Sequence, residues 1–294
     1  MTKFSAQLCQ GLSKPLSRFV SQVRFGIQSS QHVKLSNIGR SLGEDRPLIR
    51  TEKRLSRNLK KAELEKQLTA QLVRMASARV QSNTVLALDL SDIRKEYAQK
   101  MENLATVRDG SRGELHPGYG LCDVTAAEVN GSEILPLYEK LFSAEAKEFT
   151  SENAEVLAAV DLIRAPTRGR GIWALDRGGD RKNLLEPLLD RATRFVMRST
   201  GQRTVIDRRG LLGSVTEVAG RCRLPHPARI VKIQEGQEKS YELRYGAEPI
   251  RLPGRPEKLW LVVIAGFGAE RLLLLTNVPV RGRDSQSVWW IVQI

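Results

Sequence analysis

The chain has few cysteines and histidines, and this scarcity excludes several kinds of site. Its 294 residues include three cysteines, Cys9, Cys122 and Cys222, which lie far apart and form no C-x-x-C pair. The three histidines are equally scattered. This spacing argues against a zinc site and against a disulfide framework, and it fits a protein of the reducing cytoplasm.

Long apolar runs are also missing. The longest, 259–267, has the length of a strand, whereas a membrane-spanning helix needs about 18 or more apolar residues. Near the N-terminus, Arg18 and Arg24 interrupt the stretch in which a signal peptide carries its apolar centre. The sequence therefore predicts no membrane partner.

Acidic residues are the third shortage. The 33 Asp and Glu stand against 47 Lys and Arg, which leaves a net charge of +14. Residues 1–82 hold sixteen of the bases and five of the acids, so most of the excess lies in the first third. A basic surface favours a polyanionic partner, because each neutralised phosphate releases counterions.

This basic first third reads as helical. Leu35, Ile38 and Leu42 follow a helical period, and Gly43 marks a turn before a second helical stretch. The second stretch carries basic candidate DNA contacts on one side: Arg50, Lys53, Arg54, Arg57, Lys60 and Lys61. Two interpretations stay open, a helix-turn-helix that contacts DNA and a solvated basic face on a helical bundle.

The sequence pattern changes at residue 84, from helical periodicity to short apolar runs. Strands are predicted at 84–89, 118–129, 133–142, 171–176 and 194–199, with helices at 151–163 and 180–191 between the later ones. The order predicts an α/β fold, a mixed sheet flanked by helices. Residues 200–280 alternate and contain Gly and Pro, which predicts an inserted antiparallel β unit. The predicted regions are 1–82, 83–199, 200–280 and 281–294, the last being the start of a helix.

Two of the apolar strands end in an acid, Asp89 and Asp176. Ligand sites form outside the carboxyl ends of parallel strands, so the two carboxylates meet if these strands are neighbours. Oxygen ligands of this kind suit Mg²⁺ or Mn²⁺. The competing acids Asp92, Asp109 and Asp180 are explained equally well as a helix or turn cap, a turn residue and a helix N-cap.

Four segments, in this order, resemble the bacterial insertion-sequence transposases of the DDE type that carry a β insertion in the catalytic domain. They are Leu-Ala-Leu-Asp-Leu-Ser-Asp-Ile at 86–93, Thr-Val-Arg-Asp-Gly-Ser-Arg-Gly at 106–113, Trp-Ala-Leu-Asp-Arg-Gly-Gly-Asp at 173–180 and Leu-Leu-Leu-Leu-Thr-Asn-Val-Pro-Val at 272–280. The resemblance spans about residues 84 to 294 and implies a ribonuclease-H-like fold with an N-terminal helical DNA-binding region.

The resemblance also implies a catalytic set. Its first and second metal-binding aspartates map onto Asp89 and Asp176, with two Mg²⁺ or Mn²⁺ ions between them. The family's third ligand is a glutamate on the helix after the insertion, but no acid follows Asp284 here, and Glu257 and Glu270 both precede the return strand. The third ligand is therefore expected to be missing and this chain to be truncated and inactive alone.

Several further contacts are implied near this site. Arg177 and Arg181 are candidate phosphate contacts or the solvated start of a helix, and Arg108 and Arg112 are further phosphate candidates. Trp260 is a candidate for stacking on a displaced base, although its alternating surroundings favour a core or sheet-face position.

The sequence leaves three functional hypotheses. The first is a cut-and-paste transposase that acts as a dimer on double-stranded DNA, at element terminal repeats and target DNA, in the bacterial nucleoid. The second is a truncated, non-catalytic DNA-binding regulator of transposition. The third is an unrelated basic nuclease or nucleic-acid-binding protein. None involves a small-molecule substrate.

Overall fold

The computed structural model describes residues 2–61, 63–108, 113–129, 131, 133–234 and 237–280. The chain divides into two compact units, Met1–Ala78 and Arg79–Ile294. The boundary predicted from the sequence lies four residues later, after residue 82. The predicted helix start at 281–294 lies outside the described residues. Among the described residues, no helix is long and apolar enough to cross a membrane.

The first unit is helical, as its periodicity predicts. Its helices are α1 (Thr2–Leu8), α2 (Lys14–Ser30), α3 (Leu35–Ser41), α4 (Leu48–Leu59) and α5 (Glu63–Ser77). Phe19, Val20, Ile38 and Leu55 contribute to its core. A Cβ added at Gly26 would overlap Ile38, so this glycine lets α2 and α3 approach closely.

The second unit is built on one mixed sheet. Its helices are α6 (Glu152–Thr167), α7 (Lys182–Asp190) and α8 (Val215–Arg221). Its strands are β1 (Val85–Arg94), β2 (Ala105–Arg108), β3 (Leu115–Ala127), β4 (Ile134–Phe142), β5 (Ile172–Leu175), β6 (Phe195–Arg198), β7 (Thr204–Ile206), β8 (Leu212–Ser214), β9 (His226–Gln234), β10 (Gln237–Arg251), β11 (Lys258–Ala265) and β12 (Leu272–Thr276).

The sheet is mostly antiparallel. Its strand order is β2-β3-β1-β5-β6-β12-β11-β10-β7-β8, with β4 beside β3 and β9 beside β10. The parallel pairs in the described residues are β1 with β5 and β5 with β6. β5 and β6 are short and mostly apolar, as expected for strands buried on both faces. The helix α6 packs against β3 and β4.

The segment 200–280 continues this sheet. β12 returns to pair antiparallel with β6, and β11 and β10 follow outward. Asn277, just after β12, is bonded to the start of β6. Its side chain accepts a hydrogen bond from the Phe195 backbone N–H at 3.0 Å and donates one to the Thr193 carbonyl at 2.7 Å. The strands expected in a separate insertion therefore share one sheet with the parallel strands.

Candidate active site and nucleic-acid surface

Asp89 and Asp176 occupy neighbouring positions on two parallel strands. Val85 to Leu88 of β1 pair in register with Ile172 to Leu175 of β5, and the two acids are the next residues on each strand. Asp176 keeps an extended backbone, with φ −72° and ψ −173°, so side-chain alternation continues through it. Both residues are exposed, and the backbones of neighbouring strands lie about 5 Å apart.

The strand that carries Asp89 does not end there, which corrects the expected end of this strand at residue 89. β1 continues to Arg94 and pairs with β3 along its whole length. β5 stops at Leu175, because residues 177–179 turn into a short 3₁₀ helix. From Asp89 onward, β1 therefore has no β5 residue paired with it, and Asp89 and Asp176 are the first residues beyond the paired part of the two strands.

Glycine makes the turn after Asp176 compact. A Cβ at Gly178 would lie 3.1 Å from Asp176 Oδ1, and a Cβ at Gly179 would lie 2.9 Å from the Leu175 Cβ. Any other side chain would press on the Asp176 carboxylate or on the end of β5. The Gly-Gly pair thus keeps the acid close to its strand.

A third acid, Asp123, lies on the same row and escaped the sequence reasoning. Asp123 of β3 pairs directly with Asp89 of β1, and Glu139 of β4 pairs with Asp123. Burial raises the pKa of Asp123, and the charges of Asp89 and Glu139 raise it further. The row therefore carries a negative field that favours a cation. Extending the antiparallel register from Asp89 is the signal that finds it.

The donor set fits a divalent cation only in part. The exposed Asp89 and Asp176 supply oxygen ligands of the kind that Mg²⁺ and Mn²⁺ prefer. Within the described residues, no group of three or more His, Cys, Asp or Glu side chains is arranged to hold a metal ion. Water and substrate oxygens have to complete the coordination, which is usual for Mg²⁺.

A cation flanks the acid pair on its other side. Ala174 and Leu175 of β5 pair in parallel with Val196 and Met197 of β6, so Arg198 is the residue beside Asp176. Arg198 is exposed. Arg198 could have been found in the sequence, because it is a basic residue that ends an apolar strand at the same edge of the sheet. Acidic residues and an arginine therefore occupy adjacent strand ends.

The acids weighed against this pair lie elsewhere. Asp92 lies inside β1 opposite Gly120 and caps nothing. Asp180 is not a helix N-cap, since Arg181 precedes α7. Its side chain instead accepts hydrogen bonds from Ser199 and Arg203. Asp109 lies outside the described residues.

The arginines expected near phosphate divide by their contacts. Arg177 is exposed at the start of the 3₁₀ turn. Arg181 donates to Glu152 at 2.9 Å and to the Gly178 carbonyl at 2.7 Å, so it ties the start of α7 to α6. Arg108 is exposed at the end of β2, and Arg112 lies outside the described residues.

Trp260 lies on β11 and is partly buried against the core beside Val262. The Lys258 ammonium lies 4.5 Å from its ring centroid and covers one ring face. This agrees with a sheet-face position for Trp260. Trp173 is 3% exposed and belongs to the core.

In the helical unit, α4 separates its cations from its packing residues. Thr51 and Leu55 are buried, whereas the cations at positions 50, 53, 57 and 60 are exposed at helical spacing. Lys61, just beyond the helix, is exposed as well. We call Arg50, Lys53, Arg57 and Lys60 the α4 basic face. It adjoins a groove of about 740 Å³ between α3 and α4, lined by Leu35, Ser36, Ile49, Glu52, Lys53, Ser56 and Arg57.

Arg54 has a different task. Its guanidinium donates to both carboxylate oxygens of Glu44, at 2.8 and 2.9 Å, and to Gln22 at 2.6 Å. Thr51 also donates to Glu44, at 2.8 Å. Burial alone would raise the pKa of Glu44, but the hydrogen bonds from Thr51 and Arg54 outweigh it and lower that pKa. Arg54 therefore holds the turn before α4 and is not part of the α4 basic face.

Comparisons with known proteins give a distant structural likeness. No family model and no curated protein matches the chain. Among solved structures, it is similar to a piggyBac transposase in a synaptic complex with hairpin DNA, with 11% sequence identity and a TM-score of 0.46. The match covers 98% of this chain and 61% of that one, so the chain spans less than two thirds of its length.

Proposed function

We propose that this protein is a DNA transposase of the cut-and-paste type, with a ribonuclease-H-like core that carries out metal-dependent phosphodiester chemistry. The observation that carries the proposal is the parallel register of β1 with β5, which makes Asp89 and Asp176 neighbours at an open sheet edge. Adjoining acids at such an edge are typical of a divalent-cation site.

In this mechanism Asp89 and Asp176 would hold two Mg²⁺ or Mn²⁺ ions. Bound ions of this kind activate a water and stabilise the leaving oxygen of a phosphodiester. Asp123 strengthens the negative field behind Asp89. The exposed Arg198 and Arg177 would bind the phosphate oxygens, since a guanidinium can donate two parallel hydrogen bonds to them.

The substrate proposed is double-stranded DNA, both at element terminal repeats and as target, bound by a dimer of the chain. Unit 1 supplies a duplex-binding surface through the α4 basic face together with Lys61. Three cations on one side of the 12-residue helix, with Lys60 directly after its end, complement the charge of a phosphate backbone.

A non-catalytic DNA-binding regulator is the second candidate. The observation that favours it is the location of the α4 basic face within a compact unit of its own, Met1–Ala78. A protein that only binds DNA needs this surface and not the acid pair, so the two functions differ in their dependence on Asp89.

Titration of Mn²⁺ into the full chain, followed by electron paramagnetic resonance, tests the catalytic proposal. We expect Asp89→Ala and Asp176→Ala each to weaken Mn²⁺ binding strongly. Asp161→Ala is the matched control, because Asp161 is an exposed acid on α6 that forms an ion pair with Arg191. Wild-type protein that binds no Mn²⁺, or binds it equally well without Asp89, would contradict the catalytic proposal and leave the regulator.

A further inference from the structure

One buried carboxylate belongs to no part of the proposed metal site. The Asp180 side chain is 0% exposed, although it carries a charge. One of its oxygens accepts from the Ser199 hydroxyl at 2.8 Å, the Thr200 backbone N–H at 2.8 Å and the Thr200 hydroxyl at 3.1 Å. The other accepts from Arg203 Nε at 2.6 Å. Both oxygens of the Asp180 carboxylate are therefore occupied by hydrogen bonds from the protein.

The two segments that Asp180 joins are those that carry the site. On one side, the 3₁₀ turn links Asp180 back to Asp176, with the Gly179 N–H donating to the Asp176 carbonyl at 3.1 Å. On the other side, Ser199 directly follows Arg198. Because no strand pairing extends beyond Leu175 and Met197 between β5 and β6, Asp180 is the bridge that continues this pairing past the strand ends.

A carboxylate suits this position better than any neutral side chain. Four different donors point at it, and one of them is the guanidinium of Arg203, which is 14% exposed. Burial would raise the pKa of Asp180, but the hydrogen bonds from Thr200 and Ser199 and the charge of Arg203 outweigh it and lower that pKa. An asparagine would turn an amide N–H₂ group toward donors and leave Arg203 without its counter-charge.

We propose that Asp180 is a positioning residue that holds the Asp176 carboxylate and the Arg198 guanidinium side by side, so that a phosphate bound by Arg198 meets the cation at Asp176. This inference rests on the proposed metal-dependent function. It assigns Asp180 no contact with substrate or metal, and it places the effect of Asp180 in the geometry of the strand ends.

The test compares Mn²⁺ affinity with thermal stability in the full chain. Asp180→Asn is expected to weaken Mn²⁺ binding by about 10–100-fold, the range seen when partners behind metal ligands are changed. Asp161→Asn is the control, since it breaks a two-hydrogen-bond pair with Arg191 away from the site and should leave Mn²⁺ affinity unchanged. A wild-type affinity in folded Asp180→Asn would overturn the inference.

A double variant separates positioning from stability. Asp180→Asn with Arg203→Gln removes the unpaired guanidinium and is expected to recover most of the lost Tm, while Mn²⁺ binding stays weak. If binding recovers together with Tm, Asp180 is only structural and the inference fails. If Asp180→Asn does not fold, Ser199→Ala is the milder variant, because it removes a single hydrogen bond to Asp180. A several-fold weaker Mn²⁺ affinity at nearly unchanged Tm supports the inference. An unchanged Mn²⁺ affinity refutes it.

The outcomes also distinguish this inference from the proposed function. Wild-type protein whose Mn²⁺ binding does not depend on Asp89 refutes the function and the inference together. Binding that depends on Asp89 but not on Asp180 refutes the inference alone.

Discussion

The α4 basic face makes the salt dependence of DNA binding a quantitative test. The perturbation is Lys53→Ala with Arg57→Ala, which removes two exposed cations spaced four residues apart on one side of α4. Each phosphate contact contributes about 0.9 to the slope of log affinity against log salt concentration. The double variant is therefore expected to reduce the magnitude of that slope by about 1.8.

The expected size is measurable by fluorescence anisotropy with a labelled duplex of random sequence. Between about 50 and 200 mM salt, a change of about 1.8 in slope makes the loss of affinity roughly tenfold smaller than in wild-type protein. The control is Lys3→Ala with Lys66→Ala, which removes the same charge from exposed positions on α1 and α5. Its slope should match that of wild-type protein.

A second control uses the cation that points the other way. Arg54→Met removes a charge from α4 but not from its basic face, because Arg54 is bound to Glu44. Its slope should stay near the wild-type value while its stability falls. If the control pair changed the slope as much as the α4 pair does, and Arg54→Met changed it by half as much, net charge alone would govern binding. That result would refute the reasoning from the α4 basic face.

Three further expectations concern stability and geometry. Arg54→Met leaves the mostly buried Glu44 without its main donor, so the free energy of unfolding should fall by about 1–3 kcal/mol in urea denaturation; a loss near zero would contradict the assigned role. Folding lowers the pKa of Glu44 from its ordinary value of 4.5, so the stability contributed by its ionised carboxylate is present above pH 4.5 and is lost as the pH falls through the lower folded pKa. The difference in unfolding free energy between wild-type protein and Glu44→Gln should therefore decline over that acidic window. A difference that stays constant would refute this expectation. Asp89→Cys with Asp176→Cys should form a disulfide under mild oxidation, since neighbouring strands lie about 5 Å apart. Asp89→Cys with Arg198→Cys should not, because these positions are two strands apart. The reverse pattern in peptide mass spectrometry would contradict the register.

Much of the secondary structure could be predicted from local pattern. The apolar runs at 171–176 and 194–199 predict β5 and β6, because strands buried on both faces need apolar residues throughout. The same logic stops the first strand at Asp89, where the apolar run ends. β1 continues because its second half pairs with β3 on one side only and tolerates polar residues.

The neighbours of the acid pair could not be predicted in the same way. Asp123 and Arg198 reach the row through strand register, which is a property of pairing and not of local sequence. Likewise Arg54 looks like one more cation on a basic helix until Glu44, ten residues earlier, is found to accept from it. Asp89 and Asp176 could be singled out because each ends an apolar run, and the strand register gives a physical reason to consider them together.

Iron-directed cleavage of the polypeptide tests most directly whether Asp89 and Asp176 hold a cation together. Fe²⁺ added in place of Mg²⁺, with ascorbate and peroxide, generates hydroxyl radicals that cut the backbone beside the bound ion. We expect cuts next to both 89 and 176 in wild-type protein, suppressed together by excess Mg²⁺ and lost together in either single alanine variant. Cuts at one position alone, or cuts at one position that survive loss of the other acid, would contradict a shared cation site.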